Sequence, residues 1–510
     1  MHRSIYHAFA SLLLVHSICS PLVYADPEPA PEEENETDLY LEAIEAIAKM
    51  EESARKILFA QASLSSFEDP DSELEYFTAN LTSVSRANSV NEDGQTLLMV
   101  AASQNNDPRF VRALLDAGAE VGKQDPEGRS VLHHLTMSES VDHPGIAEML
   151  IEAGAVVDDR ENLGRTPLMF AAQKSNKIWI THTLLKHGAQ IDARDKSKLA
   201  RTPLMYAVRE NPDPQMVTLL INAGADPELV EGLTGMRPIH IATIHNNPRV
   251  VEALINAGAE PNAIMAGETT PLLLALSQGM DPAMVNMLLD LGANPLAVGA
   301  GSVNAIHAAA SGNQPAAVFE RLIDLGVDAT GASEDGRTAL LNLAEKGTRP
   351  EAIAALVGAG ADINARHPQG FFPLLVATQS KRSAAMIRAI LDAGAEPDAK
   401  MDPGFTPLLM AAMYAEDEGV VKALIDAGAD PNYRFEAMGV TPLLLASSST
   451  KNPAIIHTLL DAGADPHVAD PTGKSVLMYV RQNIELKKTD VVARVEKLLG
   501  VKPETADAQP

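Results

Sequence analysis

The stretch that decides the fold is Leu-Leu-Asp-Ala-Gly-Ala, residues 114–119, because variants of it return along almost the whole chain. A second recurring piece, Thr-Pro-Leu, occupies residues 166–168. Its counterparts begin at Thr96, Ser130, Thr202, Arg237, Thr270, Asn304, Thr338, Phe372, Thr406, Thr441 and Ser475, so that successive starts lie 33 to 36 residues apart. A period of this length predicts a solenoid, in which each unit buries its apolar face against its neighbours rather than inside one closed core.

Each period predicts a turn followed by two helices. Thr166 can cap the first helix, and Pro167 stands at the first helical position, where the missing N–H costs nothing. The second helix often begins at another proline and ends at Ala-Gly-Ala, where glycine can adopt the left-handed conformation that closes a helix. Since 46% of the residues are hydrophobic but only 4% are aromatic, the core must consist of small and aliphatic side chains. These signals together predict an all-α fold.

The repeat pattern resembles that of a known family. The pattern Asp-x-x-Gly-x-Thr-Pro-Leu, followed by Ala-Ala and Leu-Leu-x-x-Gly-Ala, is similar to the ankyrin repeat, and residues 161–189 show it well. The resemblance covers about four-fifths of the chain, in twelve units. It implies an ankyrin-repeat solenoid with projecting turn fingers and capping helices at both ends. The histidine that often follows Thr-Pro-Leu in that family survives only at His133, His240 and His307.

The N-terminal segment predicts an exported protein. Arg3 precedes an apolar stretch centred on residues 12–15, and Val23-Tyr24-Ala25 ends in a small residue, which is typical of a signal peptide spanning residues 1–25. An uncleaved membrane anchor and lipid attachment at Cys19 remain as alternatives. From Asp26 to Asp38 the chain carries seven acidic residues, three prolines and no basic residue, so we predict an acidic disordered linker at 26–37. The mature protein is expected to be periplasmic or secreted.

The remaining boundaries follow from the repeat frame. Residues 38–89 are predicted to form N-terminal capping helices and a degenerate repeat. The array is expected at 90–500, with its last unit acting as the C-terminal cap, and residues 501–510 as a disordered tail. The turns of units four to seven are the least regular, which would fit either a bend or simple variation in loop length.

Composition and motifs argue against several functions. A formal charge of −28 opposes binding to nucleic acid or to an anionic membrane once the signal peptide is removed. The chain has no His-Glu-x-x-His, no Gly-rich phosphate loop with lysine and no nucleophile elbow. We therefore predict a protein without catalytic residues, cofactor or metal, and keep an unrecognised enzyme as a minor alternative.

Histidines and turn carboxylates are the candidate metal ligands of this sequence. His133 lies near His134 and His143 in sequence, and His240 near His245. However, His133 and His240 occupy the position after Thr-Pro-Leu, where the resemblance implies structural hydrogen bonding. Turn carboxylates such as Asp125 and Asp470 come one per repeat, whereas a calcium site needs several oxygens within one short loop.

The family resemblance implies that partners contact the fingers and the exposed side of the first helices, which line a concave groove. The finger position directly precedes the Thr slot. Early units place arginines there, and later units place apolar residues. The predicted partner-binding residues are Arg129, Arg165 and Arg201 in the early units, and an apolar strip of Phe371, Phe405, Met413, Tyr414, Met438 and Val440 in the late ones.

Each set has a simpler interpretation as well. The phenylalanines could pack on neighbouring fingers, and the arginines could be solvated cations on an acidic body. The sequence thus predicts an exported, monomeric, non-enzymatic scaffold that binds an unidentified protein. A secreted effector acting on host-cell proteins is the alternative, and a bacterial source is favoured over a eukaryotic one.

Overall fold

The computed structural model describes residues 48–49, 52–63, 70–81, 84–105, 107–139, 143–245, 247–380 and 382–501. The predicted signal peptide, the acidic linker and residues 502–510 of the predicted tail lie outside these residues. The chain divides into two compact units, 1–61 and 62–510. In the first unit the described residues, 48–49 and 52–61, are helical. The second unit contains the repeats.

Helices between residues 97 and 499 follow one another in pairs, which we number 1 to 12 in chain order. The first, or inner, helices span Leu97–Gln104, Val131–Met137, Pro167–Ala172, Pro203–Glu210, Pro238–Ile244, Pro271–Ser277, Ala305–Ser311, Ala339–Lys346, Pro373–Gln379, Pro407–Tyr414, Pro442–Ser449 and Val476–Gln482. The second, or outer, helices span Pro108–Asp116, Pro144–Glu152, Ile178–Lys186, Pro214–Asn222, Pro248–Asn256, Pro282–Asp290, Ala316–Asp324, Glu351–Gly358, Ala384–Asp392, Glu418–Asp426, Pro453–Asp461 and Val491–Leu499.

Short-range chemistry sets where each helix begins. Thr270 Oγ1 accepts the N–H of Leu273 at 3.3 Å, and Pro271 is the first helical residue, as the Thr-Pro-Leu motif predicts. In some outer helices an acidic residue takes the same role, as where Asp213 accepts the N–H of Gln215 at 2.9 Å. The motif that recurs in sequence is therefore the start signal of the inner helices.

Ala-Gly-Ala closes the outer helices as predicted. Gly224 adopts φ +101°, which lets its N–H reach the Ile221 carbonyl at 2.8 Å while the N–H of Ala225 reaches that of Leu220 at 3.0 Å. A side chain at this φ would be strained, so the glycine is required by the backbone.

The pairs stack in chain order. Inner helices pack on the inner helices of neighbouring pairs, and outer helices pack on outer helices. The Ala-Ala motif makes this possible, because Ala171 and Ala172 are fully buried and let helix backbones approach closely. Residues 97–499 of the second unit form an all-α solenoid, and the described turns carry only isolated antiparallel bridges.

A second set of contacts joins the loops that follow the outer helices. Asn432 donates from Nδ2 to the Gly463 carbonyl at 3.0 Å and accepts the N–H of Asp465 through Oδ1 at 2.8 Å. The same pair of bonds to the next unit is made by Asn88, Asn262 and Asn364. These asparagines fix the distance between neighbouring units at the loop edge.

A helix precedes pair 1, and the outer helix of pair 12 is the last helix that the structure describes. The helix Pro70–Asn80 packs on the outer helix of pair 1, where the Phe77 and Phe110 ring centroids are 4.9 Å apart. At the other end Val491–Leu499 is closed by Gly500 at φ +68°. Among the helices described, none has the length and apolarity needed to cross a membrane.

The asparagine contacts predict a measurable contribution to stability. Changing Asn432→Ala removes both bonds to the next unit and should lower the free energy of unfolding by about 1 kcal/mol in urea titrations followed by circular dichroism. Asn294→Ala is the matched control, because Asn294 Oδ1 accepts only the N–H of Leu296 in its own loop. Equal losses in the two variants would contradict a role in joining units.

Candidate partner-binding surface

Every turn holds its finger residue in the same way. The residue that opens the turn donates its N–H to the carbonyl of the finger residue, as from Asp125 to Arg129 at 3.0 Å and from Met401 to Phe405 at 2.9 Å. Finger side chains therefore start from equivalent points along the stack, although the turns of pairs 4, 5 and 11 are one or two residues longer than the others.

The three predicted arginines are all close to carboxylates. Arg165 Nε lies 3.1 Å from Glu161 Oε1, with its guanidinium 4.2 Å from the centroid of the Phe170 ring. Arg201 Nε lies 2.6 Å from Oε1 of Glu231, which belongs to the next turn. The side chains of Glu161 and Glu231 are each only 3% exposed, so these arginines neutralise charges that the fold has removed from water.

Arg129 is held less tightly. Its Nη1 lies 4.0 Å from Asp125 and 3.9 Å from Glu127. The arginines of pairs 2 to 4 thus serve the turns themselves. Arg201 in addition lines an open pocket of about 250 Å³, together with Leu199, Arg209, Glu231, Thr234, Met236, Ile241, Ile244 and His245.

Buried turn carboxylates also receive hydrogen bonds from the inner helices, a feature that sequence reasoning missed. His134 Nε2 lies 2.9 Å from Asp125 Oδ2, and the Tyr206 hydroxyl donates to Asp195 at 2.7 Å. Burial and the contact with Asp195 raise the pKa of Tyr206. The available signal was an acidic residue nine to eleven positions before a histidine or tyrosine.

The candidate metal-binding histidines His133 and His240 are engaged in hydrogen bonds. His133 Nδ1 accepts the N–H of Ser130 at 3.0 Å, while Nε2 lies 3.0 Å from the Arg165 carbonyl of the next unit. His240 Nε2 lies 3.1 Å from the carbonyl of Ala263, which precedes the turn of the next unit. Across the described residues, no three His, Cys, Asp or Glu side chains are grouped so that they could hold a metal ion.

The aromatic finger residues are packed within the turns. The Phe405 ring centroid lies 4.5 Å from that of Phe435, which is 2% exposed, and Phe371 stacks on His367 at 4.2 Å with nearly parallel rings. Both predicted phenylalanines are half-buried, and Val440 is only 9% exposed. These three side chains therefore contribute first to turn packing.

More of the predicted strip is accessible at the other end of the inner helix. Tyr414 is 43% exposed, and with Met413 it ends the inner helix of pair 10. Residues 413–416 and 449–452 line an open pocket of about 480 Å³ between pairs 10 and 11. Met410 lies one helical turn before Met413 and Tyr414, so that the three share one helix face.

Met438 stands apart from this helix end. It lies in the turn of pair 11 and is 52% exposed. The six predicted residues thus fall in pairs 9 to 11 but at two levels, since four lie in turns and two at a helix end. An inner helix of eight residues, about 12 Å long, separates the two levels.

The family is decided by the recurrence of this arrangement. A model for three copies of the ankyrin repeat matches residues 74–160, 98–195, 204–299 and 374–470, which together exceed half of the chain. The chain belongs to the ankyrin-repeat family. Pairs 7, 8 and 12 of this ankyrin array lie outside the matched segments, yet they form the same two helices and stack on their neighbours.

A curated relative adds a local similarity. Phosphocholine transferase AnkX of Legionella pneumophila is 29% identical over 101 residues. The match covers 20% of this chain and 10% of that protein. The matched segment is about three ankyrin repeats long. The chain therefore aligns with only a small part of this relative's length.

The buried ankyrin histidines predict a pH dependence of stability. Burial lowers the pKa of His240 to about 4 from 6.5, so the unfolded chain binds this proton more readily between these values. The contribution of His240 to the free energy of unfolding is therefore fully present above pH 6.5. It falls as the pH drops towards 4, by about 2 kcal/mol at pH 5. Changing His240→Leu should remove this loss.

The measurement compares urea unfolding of parent and variant at pH 7.5 and pH 5. His182 is exposed on the outer helix of pair 3, and His182→Leu should keep the parental difference between the two pH values. An unchanged pH dependence in the His240 variant would contradict the role given to burial.

Proposed function

We propose that this chain is a non-enzymatic protein-binding scaffold of twelve ankyrin repeats, one for each helix pair. The observation that carries the proposal is the open pocket of about 480 Å³ beside the exposed Tyr414. Tyrosine presents a large apolar area with few torsions to immobilise, and the neighbouring Met413 can adapt its shape. The partner is a protein of unidentified nature.

The roles of the other predicted residues follow from their contacts. The half-buried Phe371 and Phe405 and the buried Val440 support the turns. Met438 offers a separate contact at the turn of pair 11. Arg129, Arg165 and Arg201 shape the early turns, with Arg201 at the edge of a second, smaller pocket. We assign no cofactor. We assign no nucleic acid or membrane as partner, because the charge of −28 opposes binding to polyanions and anionic lipids.

We further propose that a bacterium exports the protein as a monomer to the periplasm or the medium, after cleavage behind Ala25. Residues 26–37 then act as a flexible acidic spacer, residues 38–89 and the last pair cap the array, and residues 501–510 form a tail. The similarity to a protein of Legionella pneumophila supports a bacterial source.

A secreted effector acting on host-cell proteins is the second candidate. The local match with AnkX supports it, since that relative combines matching repeats with a phosphocholine transferase. The match covers a tenth of AnkX, so transferase activity is not proposed for this chain. Recovery of the chain in host cytosol would favour the effector, and retention in the periplasm would favour the resident scaffold.

The binding surface can be tested by photo-crosslinking in the source cells. With p-benzoylphenylalanine at position 414, irradiation should give a discrete adduct, because a partner in the pocket lies within reach of the probe. Adducts are read by gel shift and mass spectrometry. Position 179 provides the control, since Trp179 is 63% exposed on an outer helix.

Affinity capture with the Met413→Ser and Tyr414→Ser double variant should recover about tenfold less of the crosslinked protein. The double variant Phe371→Ala and Phe405→Ala separates turn support from direct contact. It should lower the unfolding midpoint as well as the recovery of the partner, because these two side chains pack in the turns. Adducts of equal yield at positions 414 and 179 would reject the proposed surface.

Export makes a separate prediction. Intact-mass measurement of the chain recovered from the periplasm or medium should give a species that begins at Asp26, because signal peptidase cleaves after small residues. A recovered species that keeps residues 1–25 would favour the membrane anchor instead.

A further inference from the structure

A row of exposed apolar side chains lies on the turns of pairs 5, 6 and 7. Val230, Ile264 and Val298 occupy the same place in three successive turns, directly before the residue that opens the turn, and are 40%, 58% and 56% exposed. Leu233 and Leu296 extend the row and are 70% and 56% exposed. Exposed apolar side chains that recur at the same place in successive turns are typical of an interaction surface.

Other units use this position to hold the stack together. Arg160 donates from Nη1 to the carbonyl of Arg194 at 2.8 Å, and Arg194 donates in turn to the carbonyl of Val230 at 2.9 Å. Arg366 reaches the carbonyl of Lys400 in the same way at 2.9 Å. The side chains of valine and isoleucine have no hydrogen-bond donor, so Val230, Ile264 and Val298 cannot bond to the carbonyl of the next turn. Their exposure therefore has no explanation in the packing of the turns.

The charge is one-sided around Ile264 and Val298, whereas at the pair 5 end of the row Arg194 contacts the Val230 carbonyl. Residues 250–320 contain neither lysine nor arginine. Glu260 and Glu268 are exposed in this stretch, and Glu228, beside Val230, faces Arg237 at 3.1 Å. An apolar row among carboxylates favours a partner in which lysines or arginines flank apolar side chains, because opposite potentials meet across the contact.

The spacing of the row selects the shape of the partner. Packed helices of neighbouring units lie about 8–10 Å apart, so equivalent turn residues recur at about that distance. Seven residues of an α-helix rise about 10.5 Å, so apolar residues one heptad apart would meet successive turns. We propose that the turns of pairs 5 to 7 bind a basic amphipathic helix of a partner protein, through Val230, Ile264 and Val298. This surface is separate from the pocket beside Tyr414.

Two peptides test the proposal on the full chain. The probe is two copies of Leu-Lys-Lys-Leu-Leu-Lys-Leu with a fluorescent label, and the reference replaces every leucine with serine while keeping the charge. Anisotropy titrations at physiological salt should show that the leucine peptide binds at least about tenfold more tightly than the serine peptide. Equal affinities would mean that only the acidic surface attracts the probe, and would overturn the proposal.

The Ile264→Ser and Val298→Ser double variant locates the site. It should lose about tenfold in affinity for the leucine peptide and keep its affinity for the serine peptide. The matched control is Leu163→Ser with Trp179→Ser, whose side chains are 60% and 63% exposed in pair 3. Unfolding midpoints establish that both variants are folded. Parental affinity in the first variant, or an equal loss in the control, would overturn the assignment.

Discussion

The structure depends on one constraint, which is that a pair of short helices cannot bury its apolar face alone. The inner helix of pair 3 has six residues, all of them buried, and much of that burial comes from the helices on either side. The free energy of unfolding is then a sum of contributions from the units and from the interfaces between them. Any residue that sets the distance between two units therefore contributes to the stability of the stack. Asn432 has this role at the loop edge and His133 has it beside the turns, since each bonds to the backbone of the next unit.

The same constraint explains why two kinds of turn coexist. Turns of pairs 2 to 5 open with a carboxylate, such as Asp125 or Asp195, which the stack removes from water. A buried charge needs partners, and arginine, histidine or tyrosine supplies them. Turns of pairs 10 and 11 open instead with Met401 and Phe435, and Phe405 packs on Phe435 without any charge to satisfy. The change from arginine to phenylalanine along the fingers therefore reflects how the side chains of each turn pack, before any partner is considered.

Local signals made the fold predictable, and distant pairings limited what could be said of the site. Caps such as Thr270 and closing glycines such as Gly224 act within five residues, so the sequence displays both members of each contact. The partner of Arg201 is Glu231, thirty positions away in the next turn, and its choice depends on how the two turns face each other. Nor could a finger slot reveal that Val440 is 9% exposed whereas Met438, two residues earlier, is 52% exposed. Equivalent positions in a repeat share a backbone, but neighbouring side chains decide which of them reach solvent.

Binding surfaces in such a stack arise where a side chain is released from its structural task. Arg194 ties its turn to the next, and the replacement of that arginine type by Val230, Ile264 and Val298 removes the tie while adding apolar area to the surface. The array can tolerate the exchange because helix stacking and the Asn262 contacts to Asn294 and Gly292 still join these units. A rigid frame of this kind presents its exposed groups already ordered, so little conformational entropy is lost when a partner binds. The positions that contribute least to the stability of the stack are consequently those whose exposed side chains are most available for binding a partner.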